Sequence, residues 1–176
     1  MYRRSFLKYS TALAGVSLIG NSNSWAGAND RVRVAVIDMG GRGGDLMKSA
    51  ASLAGVEVVA LADPDERRVA KNAEELEKAT GRAPQRFQDL RKIMDDSTID
   101  AVSIATPNKF HAPLTIAALE SGLHVLCEKP MAMNEQEAQA MLVAAKKVRR
   151  NLMINFSYRF SPMSFALKQQ VNAGTV

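Results

Sequence analysis

The feature that most constrains the fold is a regular alternation of short apolar runs with longer segments that carry helix signals. The runs, mostly rich in β-branched residues, cover positions 32–37, 56–61, 86–87, 101–105, 124–127 and 152–156. Strands that alternate with helices at this spacing form a parallel sheet with helices on both of its faces. The sequence therefore predicts an α/β, doubly wound fold.

The segments between the runs have the start and stop residues of helices. The predicted helices cover 45–53, 64–79, 113–121, 134–150 and 162–173. For the second helix we expect Asp63 as the N-cap, Pro64 at the first position and Glu66 in a capping box. Asn134 and Glu137 form the equivalent pair for the fourth helix, and glycines follow several of the segments.

The charge distribution argues against a nucleic-acid partner. The 176 residues carry a net charge of +5, and three of the positive charges lie in residues 1–28, which contain no Asp or Glu. The rest of the chain therefore carries +2, with its Lys and Arg interleaved among acidic residues. No basic helix or basic stripe with aromatic residues is present, so we expect no nucleic-acid binding.

Residues 1–28 have the three parts of an export signal. The pair Arg3-Arg4 comes first, an apolar run follows over 11–20, and 26–28 reads Ala-Gly-Ala, an Ala-x-Ala cleavage site. The run is about half of the ~20 residues that a bilayer-spanning helix needs. We expect a twin-arginine signal and a periplasmic location, with no membrane association after export. Tyr2 stands where a twin-arginine signal usually has Ser or Thr. A general secretory leader is the alternative.

The first apolar run leads into a glycine-rich turn. Positions 38–44 read Asp-Met-Gly-Gly-Arg-Gly-Gly, which places Gly40 and Gly43 at the second and third glycines of G-x-G-x-x-G. Such glycines let the backbone approach a pyrophosphate at a helix N-terminus, so we expect a Rossmann-type cofactor site. The cofactor contacts predicted in this turn are Gly40, Gly41, Arg42 and Gly43. A purely structural glycine turn is the alternative.

The first glycine of that pattern is replaced by Asp38. Asp tolerates a left-handed backbone better than most residues, so we expect the tight turn to survive. A carboxylate beside a diphosphate is nevertheless unfavourable.

Asp63 lies just after the second run, 20 residues after Gly43. An acidic residue at this point hydrogen-bonds the adenosine ribose of NAD, and this role is compatible with capping a helix. Arg67 or Arg68 could instead receive the 2′-phosphate of NADP. The expected cofactor is therefore NAD or NADP.

Two more strand ends contribute candidate site residues. The fourth run leads into Thr106, Pro107, Asn108 and then His111, which we expect beside the nicotinamide; packing at a helix start is the alternative for His111.

The fifth run leads into Glu128, Lys129 and Pro130. In an open α/β sheet, ligands collect outside the carboxyl ends of the strands. The proline restrains the backbone of Lys129 and permits a cis peptide. The alternative is a surface lysine before a loop.

Metal and disulfide chemistry have little support in the sequence. The chain has two histidines, and neither forms a pair with another His or with Cys at the spacing of a metal site, so no metal is expected. The only cysteine, Cys127, cannot form an intrachain disulfide.

Together these motifs resemble the nucleotide-binding half of the glucose-fructose oxidoreductase, inositol dehydrogenase and rhizopine-catabolism (Gfo/Idh/MocA) family. The matching stretches occur in family order, at 34–43, 60–65, 99–102, 106–111, 122–130 and 155–162. The resemblance implies a nucleotide-binding domain over 29–160 and the start of a connection over 161–176. It also implies a C-terminal open-sheet domain that this chain lacks, so we expect the chain to be a fragment.

The resemblance further implies an NAD(P)-dependent oxidoreductase that transfers a hydride between the nicotinamide and a sugar or cyclic polyol. In the family, the lysine at the position of Lys129 hydrogen-bonds the reacting oxygen and assists proton transfer, and Glu128 can orient it. Within the family the chain looks closest to periplasmic glucose-fructose oxidoreductase, and the full-length form is expected to be a homo-oligomer. The alternatives are a glycosidase that oxidises its substrate transiently with bound NAD and a non-catalytic nucleotide-binding remnant.

Overall fold

A computed structural model describes residues 31–175, and in it strands and helices alternate. The strands are β1 (Val32–Ile37), β2 (Val56–Ala62), β3 (Gln85–Phe87), β4 (Ala101–Ile104), β5 (His124–Cys127) and β6 (Leu152–Ile154). The helices are α1 (Gly41–Ala51), α2 (Glu66–Thr80), α3 (Arg91–Asp95), α4 (His111–Glu120), α5 (Glu135–Val148) and α6 (Pro162–Asn172). The predicted export signal lies outside the described residues.

The six strands form one sheet in the order β3-β2-β1-β4-β5-β6, and every neighbouring pair is parallel. The predicted doubly wound fold is confirmed. Ile37 pairs with Ala62 on one side and with Ile104 on the other, and Ile104 pairs with Cys127. The residues that follow β1, β2, β4 and β5 therefore leave the sheet at a common edge, and the strand order reverses between β1 and β4.

Alternate residues of each strand pack into two separate cores. Val36 and Leu61 point to the face covered by α1 and α2, whereas Ile37 and Ile104 point to the face covered by α3, α4 and α5. All four side chains are fully buried. Each such side chain contributes roughly 1.5–3 kcal/mol by its removal from water. The two cores hold the strands in register and thereby align the loops at the carboxyl edge.

The largest difference from the predicted elements is the start of α1. The helix begins at Gly41, whereas the sequence predicts a start at Asp45. The glycines suggest a loop, but Gly43 and Gly44 are buried in the first helical turn. A Cβ on Gly43 would lie 1.6 Å from the carbonyl oxygen of Asp38, so only glycine lets the helix approach β1 this closely. Tertiary packing therefore overrides the local preference.

Two smaller differences concern short elements. Helix α3 is not predicted, because its five residues are too few to show a helical period. Strand β6 ends at Ile154, and the chain then forms a 3₁₀ turn over Ser157–Phe160.

None of the residues of α6 is buried, and Tyr158, just before it, is 82% exposed. Within residues 31–175, no helix has both the length and the apolar character needed to cross a bilayer.

Gly43→Ala tests the close approach of α1 to β1. The new methyl group would overlap the carbonyl oxygen of Asp38, so the backbone must shift. We expect the free energy of unfolding to fall by about 3 kcal/mol, measured by urea denaturation.

Gly41→Ala is the matched control on the same helical turn. No described atom lies within 4 Å of a Cβ placed there, and alanine favours a helix. Its stability should stay equal or rise by up to about 1 kcal/mol. Equal stability of the two variants would contradict the packing described above.

Candidate active site

The start of α1 forms an anion-binding surface at the carboxyl edge of the sheet. Gly40, the residue before the helix, supplies no side-chain cap. The backbone N–H groups of Gly41, Arg42 and Gly43 have no acceptor one turn earlier in the helix. These donors and the helix dipole both favour a bound anion. The turn is therefore suited to a phosphate group.

Asp38, at the end of β1, has the left-handed conformation that the sequence predicts, with φ at 75°. Its Oδ1 accepts a hydrogen bond of 2.8 Å from the N–H of Gly40. The side chain thus covers one backbone donor at the entrance of the anion-binding surface.

Asp63 is a buried brace between two loops, with 3% of its surface exposed. Its Oδ2 accepts from the N–H of Met39 at 2.8 Å, and its Oδ1 accepts from the N–H of Asp65 at 2.7 Å. The predicted capping role of Asp63 is wrong: α2 begins at Glu66, and its N-cap is Asp65, which accepts from the N–H of Arg67 at 3.0 Å. The carboxylate of Asp63 faces the glycine turn instead. Its predicted contact with a ribose stays a prediction.

Glu128 joins three segments of the edge and is 5% exposed. Its Oε1 accepts from Arg42 Nε at 2.5 Å and from Asn155 Nδ2 at 2.7 Å, and its Oε2 accepts from the backbone N–H of Lys129 at 3.2 Å. Burial opposes ionisation of this carboxyl, but the hydrogen bonds from Arg42 and Asn155 outweigh burial and lower its pKa. Glu128 is therefore a carboxylate at neutral pH.

Asn155 is a site residue that the sequence analysis did not single out. It follows β6 directly, so the rule that strand ends carry the site would have found it. Its amide fixes the orientation of Glu128 from the side opposite the glycine turn.

Lys129 is exposed at the same edge, and the peptide bond between Lys129 and Pro130 is cis. Within residues 31–175, its ammonium group has no hydrogen bond or ion pair. Glu128 contacts only its backbone. The ammonium is thus available to a ligand at the carboxyl end of β5.

The loop after β4 is tied to the loop after β5 by His111, which is 1% exposed. Its Nε2 lies 2.8 Å from the carbonyl oxygen of Thr106, and its Nδ1 lies 2.6 Å from that of Pro130. The Thr106 hydroxyl is buried without a hydrogen-bond partner among the described residues. Pro107 and Asn108 are exposed beside it. The structure therefore brings all the predicted site residues to one edge, with His111 inside it.

The edge offers neither a reactive thiol nor a metal centre. Burial raises the pKa of Cys127 to about 11, so the thiol stays protonated at neutral pH. No cluster of three His, Cys, Asp or Glu side chains in residues 31–175 is arranged to hold a metal ion.

A nicotinamide dinucleotide fits the residues present at this edge. The backbone donors of Gly41, Arg42 and Gly43 suit its diphosphate, and Asp63 directly follows the neighbouring strand β2. The strand order reverses between β1 and β4, which is the position at which open α/β sheets bind their ligands. One group opposes the fit, the carboxylate of Asp38.

Comparison with known proteins supports the same conclusion. Residues 32–156 match the Gfo/Idh/MocA family, described as an oxidoreductase family with an NAD-binding Rossmann fold. An inositol 2-dehydrogenase 4 from Saccharopolyspora erythraea is 32% identical over 151 residues, which are 85% of this chain and 43% of that protein. A glycosyl hydrolase family 109 protein from Stenotrophomonas maltophilia is 37% identical over 134 residues, 73% of this chain and 29% of that protein. The chain thus spans less than half the length of either relative.

The crystal structure of scyllo-inositol dehydrogenase from Lactobacillus casei with bound NAD(H) and scyllo-inositol has the same fold. The likeness has a TM-score of 0.75 at 21% identity and covers 83% of this chain and 42% of that chain. The finer resemblance to glucose-fructose oxidoreductase stays a prediction. The sequence match over residues 32–156, with the strand order and the glycine turn, shows that the chain belongs to the Gfo/Idh/MocA oxidoreductase family and has its NAD-binding Rossmann fold.

Proposed function

We propose that the protein is an NAD(P)-dependent dehydrogenase that oxidises a CH–OH group of a sugar or cyclic polyol. One observation carries this proposal: the exposed ammonium of Lys129, which has no partner among residues 31–175, lies at the same sheet edge as the anion-binding start of α1. The relative named inositol 2-dehydrogenase supports the substrate class. Because the chain spans less than half of that relative, the activity is proposed for the protein at its natural length.

The residues of the edge have two proposed roles, which are binding of the dinucleotide and assistance to proton transfer from the substrate hydroxyl. Gly41, Arg42 and Gly43 would hold the diphosphate through their backbone N–H groups, and Asp63 would hold the ribose. A dinucleotide bound there supplies the hydride acceptor. The ammonium of Lys129 would donate a hydrogen bond to the substrate hydroxyl oxygen. It would stabilise the negative charge that develops there while the hydroxyl proton passes to water and the hydride to the dinucleotide.

Glu128 acts as a positioning residue for Lys129. Its carboxylate binds the backbone N–H of Lys129 and is itself held by Arg42 and Asn155. The charge of Glu128 is compensated by Arg42, so the Lys129 ammonium remains available to the substrate. The same contact couples the lysine loop to the glycine turn.

A glycosidase that oxidises its substrate transiently is the second candidate. It is favoured by the relative named as a glycosyl hydrolase family 109 protein. The same lysine and the same dinucleotide site would serve it, but the hydride would return to the sugar. Release of sugar without net formation of NADH would select the glycosidase, and failure to bind either dinucleotide would select a non-catalytic remnant.

Lys129→Ala tests the proposed proton-handling role. In the protein expressed at its natural length, we expect kcat with inositol or glucose to fall about a hundredfold or more, measured as formation of reduced nicotinamide. Dinucleotide affinity, measured by calorimetry, should change little because the phosphate donors are backbone groups.

Lys147→Ala is the control for this change. Lys147 is exposed in the last turn of α5, which leads to the opposite edge of the sheet. Its kcat should equal that of the wild type. An unchanged kcat in Lys129→Ala would overturn the assignment of Lys129.

Glu128→Gln tests the buried carboxylate as a brace. We expect the free energy of unfolding at neutral pH to fall by about 1–2 kcal/mol, since the bonds from Arg42 and Asn155 lose their charge assistance while Arg42 stays half exposed. The pKa of Glu128 is lower in the folded state than its ordinary value of 4.5. Its contribution to the free energy of unfolding is therefore fully present at pH values above 4.5, and it is lost as the pH falls through the folded-state pKa. The difference between wild type and variant should therefore shrink in acid.

Glu75→Gln is the matched control for that variant. Glu75 pairs with Lys48 at 3.0 Å on the exposed surface, where an ion pair adds little stability. Its unfolding curve should match that of the wild type. Equal losses in the two variants would contradict the bracing role of Glu128.

We also propose that the protein is exported to the periplasm by the twin-arginine route, which carries folded proteins. The double change Arg3→Lys with Arg4→Lys should leave the protein in the cytoplasmic fraction of the cell. Lys8→Ala should still be exported. Export of the double variant at the normal level would refute the twin-arginine proposal.

A further inference from the structure

Asp38 occupies a place where the family's nucleotide fingerprint has a glycine. Its Oδ1 accepts from the N–H of Gly40 at 2.8 Å, and a Cβ built on Gly40 would lie 2.9 Å from the same oxygen. The carboxylate therefore lies directly over the backbone of Gly40. Gly40 directly precedes Gly41, whose N–H is the first of the free donors of α1.

The backbone of Asp38 is fixed on two sides. Its N–H donates to the carbonyl oxygen of Ala62 at 2.8 Å, and its own carbonyl oxygen is packed under Gly43. The left-handed φ of 75° holds the side chain over the turn. Only rotation of the side chain can therefore uncover the N–H of Gly40.

The charge of this carboxylate is not neutralised by an ion pair within residues 31–175. The guanidinium of Arg68 reaches the same turn, with Nη1 3.8 Å from a Cβ built on Gly40, but its ion pairs are with Asp63 Oδ2 at 3.8 Å and Asp65 Oδ2 at 3.9 Å. An unpaired negative charge at the entrance of an anion site repels a phosphate.

We propose that Asp38 is an internal competitor of the dinucleotide diphosphate. Its carboxylate takes the hydrogen bond from Gly40 that a phosphate oxygen would accept, and its charge weakens phosphate binding at the adjacent N–H groups. The inference rests on dinucleotide binding at this edge and is independent of the proposed hydride transfer.

Calorimetric titration of NAD⁺ and NADP⁺ into the full chain tests this role. Asp38→Gly removes both the charge and the competing acceptor, and glycine suits the left-handed backbone. We expect its dissociation constant to fall about tenfold or more. Asp38→Asn keeps an oxygen that accepts from Gly40 but loses the charge, so an intermediate gain is expected.

Two controls separate this effect from general changes in charge or folding. Asp45→Asn removes an exposed carboxylate from the same helix, and its affinity should stay within about twofold of the wild type. Adenosine, which has no phosphate, should bind the wild type and Asp38→Gly equally well. Unfolding curves confirm that each variant is folded.

The outcomes distinguish this proposal from the proposed function. Tighter dinucleotide binding by Asp38→Gly supports the competitor role even where no hydride transfer is detected. Equal or weaker binding by the folded Asp38→Gly variant overturns it. Absence of dinucleotide binding in the wild type and in both Asp38 variants overturns it together with the dehydrogenase proposal.

Discussion

The buried carboxylate of Glu128 is the contact on which the geometry of the functional edge depends. It accepts hydrogen bonds from Arg42 in the glycine turn, from Asn155 after β6 and from the backbone of Lys129. An ionised group with 5% exposure is costly unless it is fully paired, so these bonds are maintained together. Loops from both halves of the sheet are thereby held at fixed positions relative to one another.

The edge contains buried polar side chains that hold its loops together and exposed donor groups that are available to a ligand. Asp63, Glu128 and His111 are buried, and their polar atoms contact other parts of the chain. The ammonium of Lys129 and the first N–H groups of α1 have no such partners among the described residues. This division accounts for how a rigid Rossmann edge can present unpaired donors to a ligand.

Local patterns predict the strands, the parallel sheet and the position of the site at the strand ends, because β-branched runs and strand termini are short-range features. Contacts between distant segments could not be predicted in the same way. Arg42 and Glu128 are 86 residues apart, and only the strand order brings them together. The predicted N-cap of α2 is wrong because the residue types of Asp63 and Asp65 are equally suitable for capping a helix. In the structure the carboxylate of Asp63 accepts from the N–H of Met39 in the glycine turn, and Asp65 caps α2.

The most direct measurement is a crystal structure of the chain with a bound nicotinamide dinucleotide. The diphosphate should contact the N–H groups of Gly41, Arg42 and Gly43, the Asp38 carboxylate should be turned away from Gly40, and the nicotinamide should lie on the Lys129 side of the edge. A dinucleotide bound away from the start of α1, or with its adenine beside Lys129, would contradict the assignment of this edge as the dinucleotide site of a dehydrogenase.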